Sequence, residues 1–217
     1  MEELRRTSRI AILASGVGSN AEAMLKHFAE GSGAEVAEVV WVCTNRADAK
    51  VRAVAKRFGV EDSHLKKVDI QEGALLEGLR SRHVDWVALA GFLLKVPEEV
   101  CEAFAGRMVN IHPALLPKYG GSGMYGMHVH HAVKEAGDRL SGMTVHLVNQ
   151  DYDEGDIVFQ GEVELAATDT AEDIATKVLE LEHRHYAQVL EGLIRLAHGW
   201  DCLLYTSPSP RDRTRSR

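Results

Sequence analysis

Apolar side chains fall along the first 112 residues in two alternating rhythms. Arg9–Ala14 (RIAILA) is a short apolar run of strand type that stops at a glycine-rich turn. Asn20–Ala29 then places Ala21, Met24, Leu25 and Phe28 at the three-and-four spacing of one helix face. Val36–Cys43 (VAEVVWVC) is rich in β-branched residues and predicts a second strand. Val51, Val54, Ala55 and Phe58 repeat the helical period over Ala47–Phe58, and Gly59 stops it. Gln71–Arg82 predicts a third helix and Trp86–Ala90 (WVALA) a third strand. Pro97–Phe104 opens with a proline suited to a first helical turn, and Met108–Ile111 is another buried strand.

The rhythm then changes. Ser141–Val148 sets Met143, Val145 and Leu147 against Thr144, His146 and Val148, and Ile157–Leu165 follows it, so the two predict a hairpin-like pair around Asn149–Asp156. A final helix begins at Thr170-Ala-Glu-Asp173, a capping-box-like start, and carries Ile174, Val178, Leu181, His185 and Val189 on one stripe. Strands separated by helices imply crossovers and buried parallel pairing. The expected class is α/β: a mostly parallel sheet with helices on both faces and a C-terminal antiparallel addition.

Length and charge narrow the class. The 217 residues fit one domain, expected over residues 1–200. The net charge is −7, and the first 200 residues alone hold 21 basic against 30 acidic groups. Such a field grips neither nucleic acid nor an anionic membrane. Residues 201–217 hold four arginines, two prolines and no structural period, and read as adapter-derived, non-native sequence or as a disordered tail. Three unpatterned cysteines (Cys43, Cys101 and Cys202) argue for a reducing compartment, and no apolar run approaches the roughly 18 residues of a membrane span. A cytoplasmic protein acting on small molecules, as a monomer or homodimer, is expected.

Three motifs carry candidate chemistry. Ser15-Gly16-Val17-Gly18-Ser19-Asn20 joins the first strand to the first helix, where free backbone N–H groups favour a phosphate; the alternative is a tight turn with a polar cap. It also fits the dinucleotide pattern through Gly16, Gly18 and Ala21. The second strand, however, ends in Thr44-Asn45-Arg46 rather than the acid that holds an NAD ribose, leaving an NADP-binding oxidoreductase with Arg46 on the 2′-phosphate as the rival. Asn110-Ile-His112-Pro113 lies at the end of a buried strand, and residues two apart share a face, so an amide donor and an imidazole stand together. A stiff loop, Ala114–Gly121, follows. The acidic loop Asp151, Asp153, Glu154 and Asp156 is either a solvated turn or the source of a carboxylate that orients the histidine; it lacks the spacing of a calcium loop.

Taken in order, SGVGSN, AGFLLKV (Ala90–Val96), NIHPALLPKY and the His146…Asp153 stretch resemble the phosphoribosylglycinamide formyltransferases of the folate-dependent formyltransferase group, over about the first 200 residues. That resemblance implies a Rossmann-like sheet. It implies direct attack of the amine of glycinamide ribonucleotide on the formyl carbon of 10-formyltetrahydrofolate, with no metal and no covalent enzyme intermediate. Asn110 and His112 would polarise the formyl group, and Asp153 would fix His112 and assist proton transfer. Gly18, Ser19 and Asn20 would hold the 5′-phosphate and Glu182 the ribose or glycinamide end. Leu93, Leu94 and Val96, with Asn110, would line the folate site. Lys118 would neutralise phosphate or simply cover its loop.

The resemblance has two departures. Relatives often carry Arg where Leu94 stands, and Gly120–His131 (GGSGMYGMHVHH) is a glycine-rich loop whose three histidines suggest gating, with His128 a secondary binding candidate and a histidine metal site a weaker reading. A formyltetrahydrofolate deformylase would want a regulatory domain ahead of the first strand. A methionyl-tRNA formyltransferase would want a further C-terminal domain and a basic face.

Overall fold

The structure is a computed structural model that describes residues 6–151 and 153–200; the tail at 201–217 lies outside the described residues. Its strands are β1 (Ser8–Leu13), β2 (Ala37–Thr44), β3 (Glu61–His64), β4 (Trp86–Leu89), β5 (Met108–His112), β6 (Leu140–Leu147) and β7 (Ile157–Glu164), and they form one sheet in the order β3-β2-β1-β4-β5-β6-β7. The first five pair in parallel, whereas β5–β6 and β6–β7 are antiparallel. The helices are α1 (Ser19–Glu30), α2 (Val51–Arg57), α3 (Lys67–Gln71), α4 (Ala74–Ser81), α5 (Glu98–Ala103), α6 (Met127–Ala136) and α7 (Ala171–Ala197). They bury the sheet from both sides in two apolar clusters, one under α1, α2 and α7 and the other under α4 and α5. The expected mixed α/β sheet is the observed one.

Crossovers leave β1 in opposite directions, so the chain ends of β1 and β4 diverge at a topological switch point, where open α/β sheets form their ligand crevice. The glycine turn after β1, the loop after β4 and His112 at the end of β5 all emerge on that side. Helix α7 locks this region. Tyr186 is 1% exposed and its single hydroxyl hydrogen is donated to the Leu89 carbonyl (2.8 Å) and shared with that of Val109 (3.2 Å), tying the helix to the ends of β4 and β5. Its buried hydroxyl needs that acceptor, because an unpaired one costs about 1–3 kcal/mol.

Three local expectations are corrected. The helix expected over Gln71–Arg82 begins only at Ala74: Gly73 adopts φ +95°, outside any helix interior, and separates α4 from the short α3, which ends at Gln71. Strand β3 (EDSH) was not expected: it is polar and lacks strand-forming residues. As a short edge strand it needs only backbone pairing with β2, and its side chains bond Trp41, Arg52 and Arg82. The glycine-rich loop expected over Gly120–His131 ends early, and α6 begins at Met127 with Val129, His130 and Val133 buried.

Candidate active site

Asn110 and His112 alternate onto the same side of β5, as strand geometry requires. Antiparallel pairing brings β6 alongside with Asn110 opposite His146 and His112 opposite Thr144. The loop between β6 and β7 then returns Asp153, in a left-handed conformation (φ +57°), over both. Gly155 makes that return possible, since a side chain there would overlap the Leu147 carbonyl. Asp153 Oδ2 stands 3.5 Å from His112 Nδ1 and Oδ1 lies 3.4 Å from Asn110 Nδ2. The backbone N–H of Gly121 donates to Asp153 Oδ2 at 3.0 Å.

Backbone carbonyls set the protonation pattern, since a carbonyl only accepts. His112 Nε2 lies 2.7 Å from the Tyr119 carbonyl and therefore carries a hydrogen, which leaves Nδ1, facing Asp153, as the nitrogen that gains and loses a proton. His146 Nδ1 likewise donates to the Leu147 carbonyl (2.9 Å), so its Nε2 accepts from Asn110 Nδ2 (3.0 Å). One hydrogen of the Asn110 amide is thus committed to His146. The other reaches Asp153 only at 3.4 Å, a long bond that an incoming carbonyl oxygen can replace.

The electrostatics match a base and its counter-charge. Burial pushes the His112 imidazolium below the usual range, against the pull of Asp153 and the Tyr119 carbonyl, so His112 is neutral near pH 7. Burial alone would raise Asp153, but the adjoining His146 and His112 rings, which favour the carboxylate whenever they are protonated, and the Gly121 N–H outweigh it and hold the carboxyl below its ordinary value.

These groups lie in a cleft of about 710 Å³ that also contains Asn20, Leu93, Leu94, Val96 and Glu182. Leu94 and Val96 belong to the loop after β4, which packs on the α4–α5 side of the core, while Leu93 is half exposed at the cleft. Across it, Asn20 on α1 donates to Glu182 on α7 at 2.7 Å, and the Asn20 carbonyl oxygen is buried with no partner among the described residues. Burial raises Glu182 to about 6, and the Asn20 amide offsets part of that rise.

Gly18 and Ser19 do not line the cleft. Gly18 caps the start of α1 at φ +85°, and a side chain there would meet Val51 at 2.6–2.9 Å, so its role is to let the first turn of α1 approach α2. Lys118 turns away to an ion pair with Asp138 (2.6 Å). His128 is exposed and packs edge-on against Tyr125, whereas it is His130 that lines the cleft. Arg46, which an NADP site would need, pairs with Asp48 and does not line the cleft. Among the described residues no group of three or more His, Cys, Asp or Glu is placed to hold a metal ion, and no helix is long and apolar enough to cross a membrane.

Two contributors escaped the sequence reading: His146 as the partner of Asn110, and Ser15 as a tie between loops. Ser15 donates to Asn45 Oδ1 (2.5 Å) and accepts from the Leu93 N–H (2.9 Å), joining the glycine turn to the loop after β4. The alternation of β6 set His146 and Thr144 on one face, but only the register with β5 shows which of them meets the asparagine.

A family model described as formyl transferase matches residues 8–190. The chain belongs to the formyl transferase family. All the cleft residues named above fall within the matched segment of this formyl transferase. It is 38% identical to the chloroplastic phosphoribosylglycinamide formyltransferase of Arabidopsis thaliana, over 90% of its own length and 68% of that protein. It is 32% identical to phosphoribosylglycinamide formyltransferase of Bacillus subtilis, over 87% and 95%. Glycinamide ribonucleotide transformylase 1 from Symbiobacterium toebii shares the fold with a TM-score of 0.80 at 34% identity, covering 87% of this chain and 88% of that one.

Proposed function

We propose that this formyl transferase moves the formyl group of 10-formyltetrahydrofolate to the amine of glycinamide ribonucleotide, a step of purine synthesis. The observation that carries the reading is the convergence of Asn110, His112 and Asp153, from two separated segments, on one wall of a cleft with an apolar loop at one side and the Asn20–Glu182 pair at the other.

The amine attacks the formyl carbon directly. The free Asn110 hydrogen stabilises the oxyanion that develops on the formyl oxygen, replacing its long bond to Asp153. The nitrogen that attacks must shed a proton, and the folate nitrogen that leaves must gain one. His112 Nδ1, neutral and backed by the Asp153 carboxylate, holds that proton between the two events. Leu93, Leu94 and Val96 cover the folate ring system. The first-turn N–H groups of α1, beginning at Gly18, Ser19 and Asn20, hold the 5′-phosphate, and Glu182 accepts from a ribose hydroxyl or the glycinamide end.

Residues 1–200 constitute the formyltransferase domain in this reading. The chain acts on small molecules as a monomer or homodimer, and the two free, buried cysteines Cys43 and Cys101 fit a reducing, cytoplasmic setting. Incubation with both substrates, followed by the folate absorbance change, tests the assignment: turnover is expected only when glycinamide ribonucleotide is present. Turnover of 10-formyltetrahydrofolate in its absence would make water the acceptor and the protein a deformylase.

A further inference from the structure

Tyr119 is one of three non-glycine residues with positive φ (+58°) among those described, and it lies seven residues beyond the histidine that it serves. An L-residue enters this conformation only when its surroundings hold it there. At Tyr119 the result is a carbonyl turned inward onto His112 Nε2 at 2.7 Å. What holds the corner lies outside the cleft. Asp138 follows Gly137, the left-handed residue that ends α6, so its position is fixed by a helix. Its Oδ2 accepts from the Tyr119 hydroxyl (2.8 Å) and from Lys118 Nζ (2.6 Å), and its Oδ1 accepts from Lys118 again (2.8 Å). The Lys118 ammonium also sits 5.1 Å from the Tyr119 ring centroid. Two consecutive side chains are thereby bound to one carboxylate, and the peptide between them cannot turn over freely.

We propose that Asp138 is a positioning residue for His112: by clamping Lys118 and Tyr119 to the end of α6 it keeps the Tyr119 carbonyl on Nε2 and so leaves Nδ1, the nitrogen beside Asp153, as the one that exchanges the proton. The proposal rests on the formyl-transfer reading only for what the proton does, not for where it sits. If the clamp is released, Tyr119 can relax to negative φ, its carbonyl leaves Nε2, and the other neutral tautomer becomes accessible. That tautomer puts the hydrogen on Nδ1, bonded to Asp153, and removes the acceptor.

The test reads the tautomer directly. Nitrogen NMR of the labelled, ligand-free full chain distinguishes protonated from bare imidazole nitrogens at His112, and the assignment is made by loss of the signal in His112→Ala. Wild-type protein near neutral pH is expected to show hydrogen on Nε2. Asp138→Ala and Tyr119→Phe are expected to show a mixture of the two tautomers, with kcat lowered on the order of tenfold and little change in KM for either substrate. Asp138→Asn keeps an acceptor for the tyrosine hydroxyl and is expected to recover most of the loss.

The acid limb of the rate profile gives a second readout. The groups facing His112 are Asp153 from the β6–β7 loop, His146 from β6 and His130 from α6, and none changes in Tyr119→Phe. Losing the carbonyl acceptor weakens the imidazolium, so the limb is expected to move to lower pH. A wild-type His112 with its hydrogen on Nδ1 would overturn the proposal, as would an Asp138→Ala protein that folds normally and keeps the wild-type tautomer, kcat and acid limb. Should Asp138→Ala fail to fold, Tyr119→Phe, which removes a single hydroxyl, decides alone. A tautomer that shifts in variants of a protein without transferase activity would support the clamp and sink the reading under "Proposed function" instead.

Discussion

His112 shows how little of a side chain's chemistry resides in its identity. As a residue type it titrates near neutrality; burial in this cleft drives it to the neutral form, and one backbone carbonyl chooses the nitrogen that is free. His112→Ala should therefore lower kcat by on the order of 10²–10⁴-fold while the affinity for glycinamide ribonucleotide is nearly preserved, because the phosphate end is held elsewhere. Steady-state kinetics with direct binding measurement checks this, and loss of binding in step with turnover would contradict it. Asp153→Asn keeps the shape and removes the charge that supports a proton on His112. The acid limb of kcat/KM should shift to lower pH and kcat should fall, whereas a limb that stays in place would free Asp153 from that role. The pairing of Asn110 with His112 was legible, since residues two apart on a strand share a face. The partnership of Asn110 with His146 was not, because it depends on a cross-strand register that no local spacing encodes.

Strands and helices were legible where a buried period runs through mainly apolar sequence; α6, whose buried Val129, His130 and Val133 adjoin a glycine-rich stretch, was not. β4 is wholly apolar and buried, and β1 and β2 end in apolar runs (Ile10–Leu13 and Val39–Cys43), because both faces of a parallel sheet are covered. β3 was missed for the converse reason: an edge strand in contact with solvent carries no such run. The first turn of α1 is the element with most at stake, since its backbone is assigned to the phosphate. Gly18→Ala places a methyl group against Val51 in a backbone conformation that L-residues avoid, and should cost about 1–3 kcal/mol of stability while raising KM for glycinamide ribonucleotide more than for folate. Thermal unfolding and separate KM values check it; an unchanged KM would leave the glycine a packing role alone.

Across the whole molecule, the Asn20–Glu182 pair couples α1 and α7, which are 162 residues apart in the chain. Folding raises the Glu182 pKa from 4.5 to about 6, so the folded state holds that proton more tightly than the unfolded chain. The contribution to stability is full below pH 4.5 and is lost as pH rises through 6, leaving an ionised, buried carboxylate at neutral pH. Glu182→Gln keeps an acceptor for Asn20 and removes the charge. It should stabilise the protein at pH 7.5 by up to about 2 kcal/mol, from 1.5 pKa units, and the gain should vanish below pH 4.5 while binding of glycinamide ribonucleotide weakens. Denaturant titrations at the two pH values test this, and a pH-independent gain would refute it. The amino-acid sequence alone determined the sheet-forming segments, their coverage by helices, the antiparallel change after residue 112 and the residue types at the cleft, because burial periodicity and turn chemistry act over neighbouring residues. The family resemblance pointed to Asp153 as the carboxylate for His112, but only the tertiary structure decided how the two meet, which histidine engages Asn110, and that an aspartate beyond α6 grips the corner at Tyr119. Those contacts join positions far apart in the chain, and their geometry is created by sheet register and helix packing.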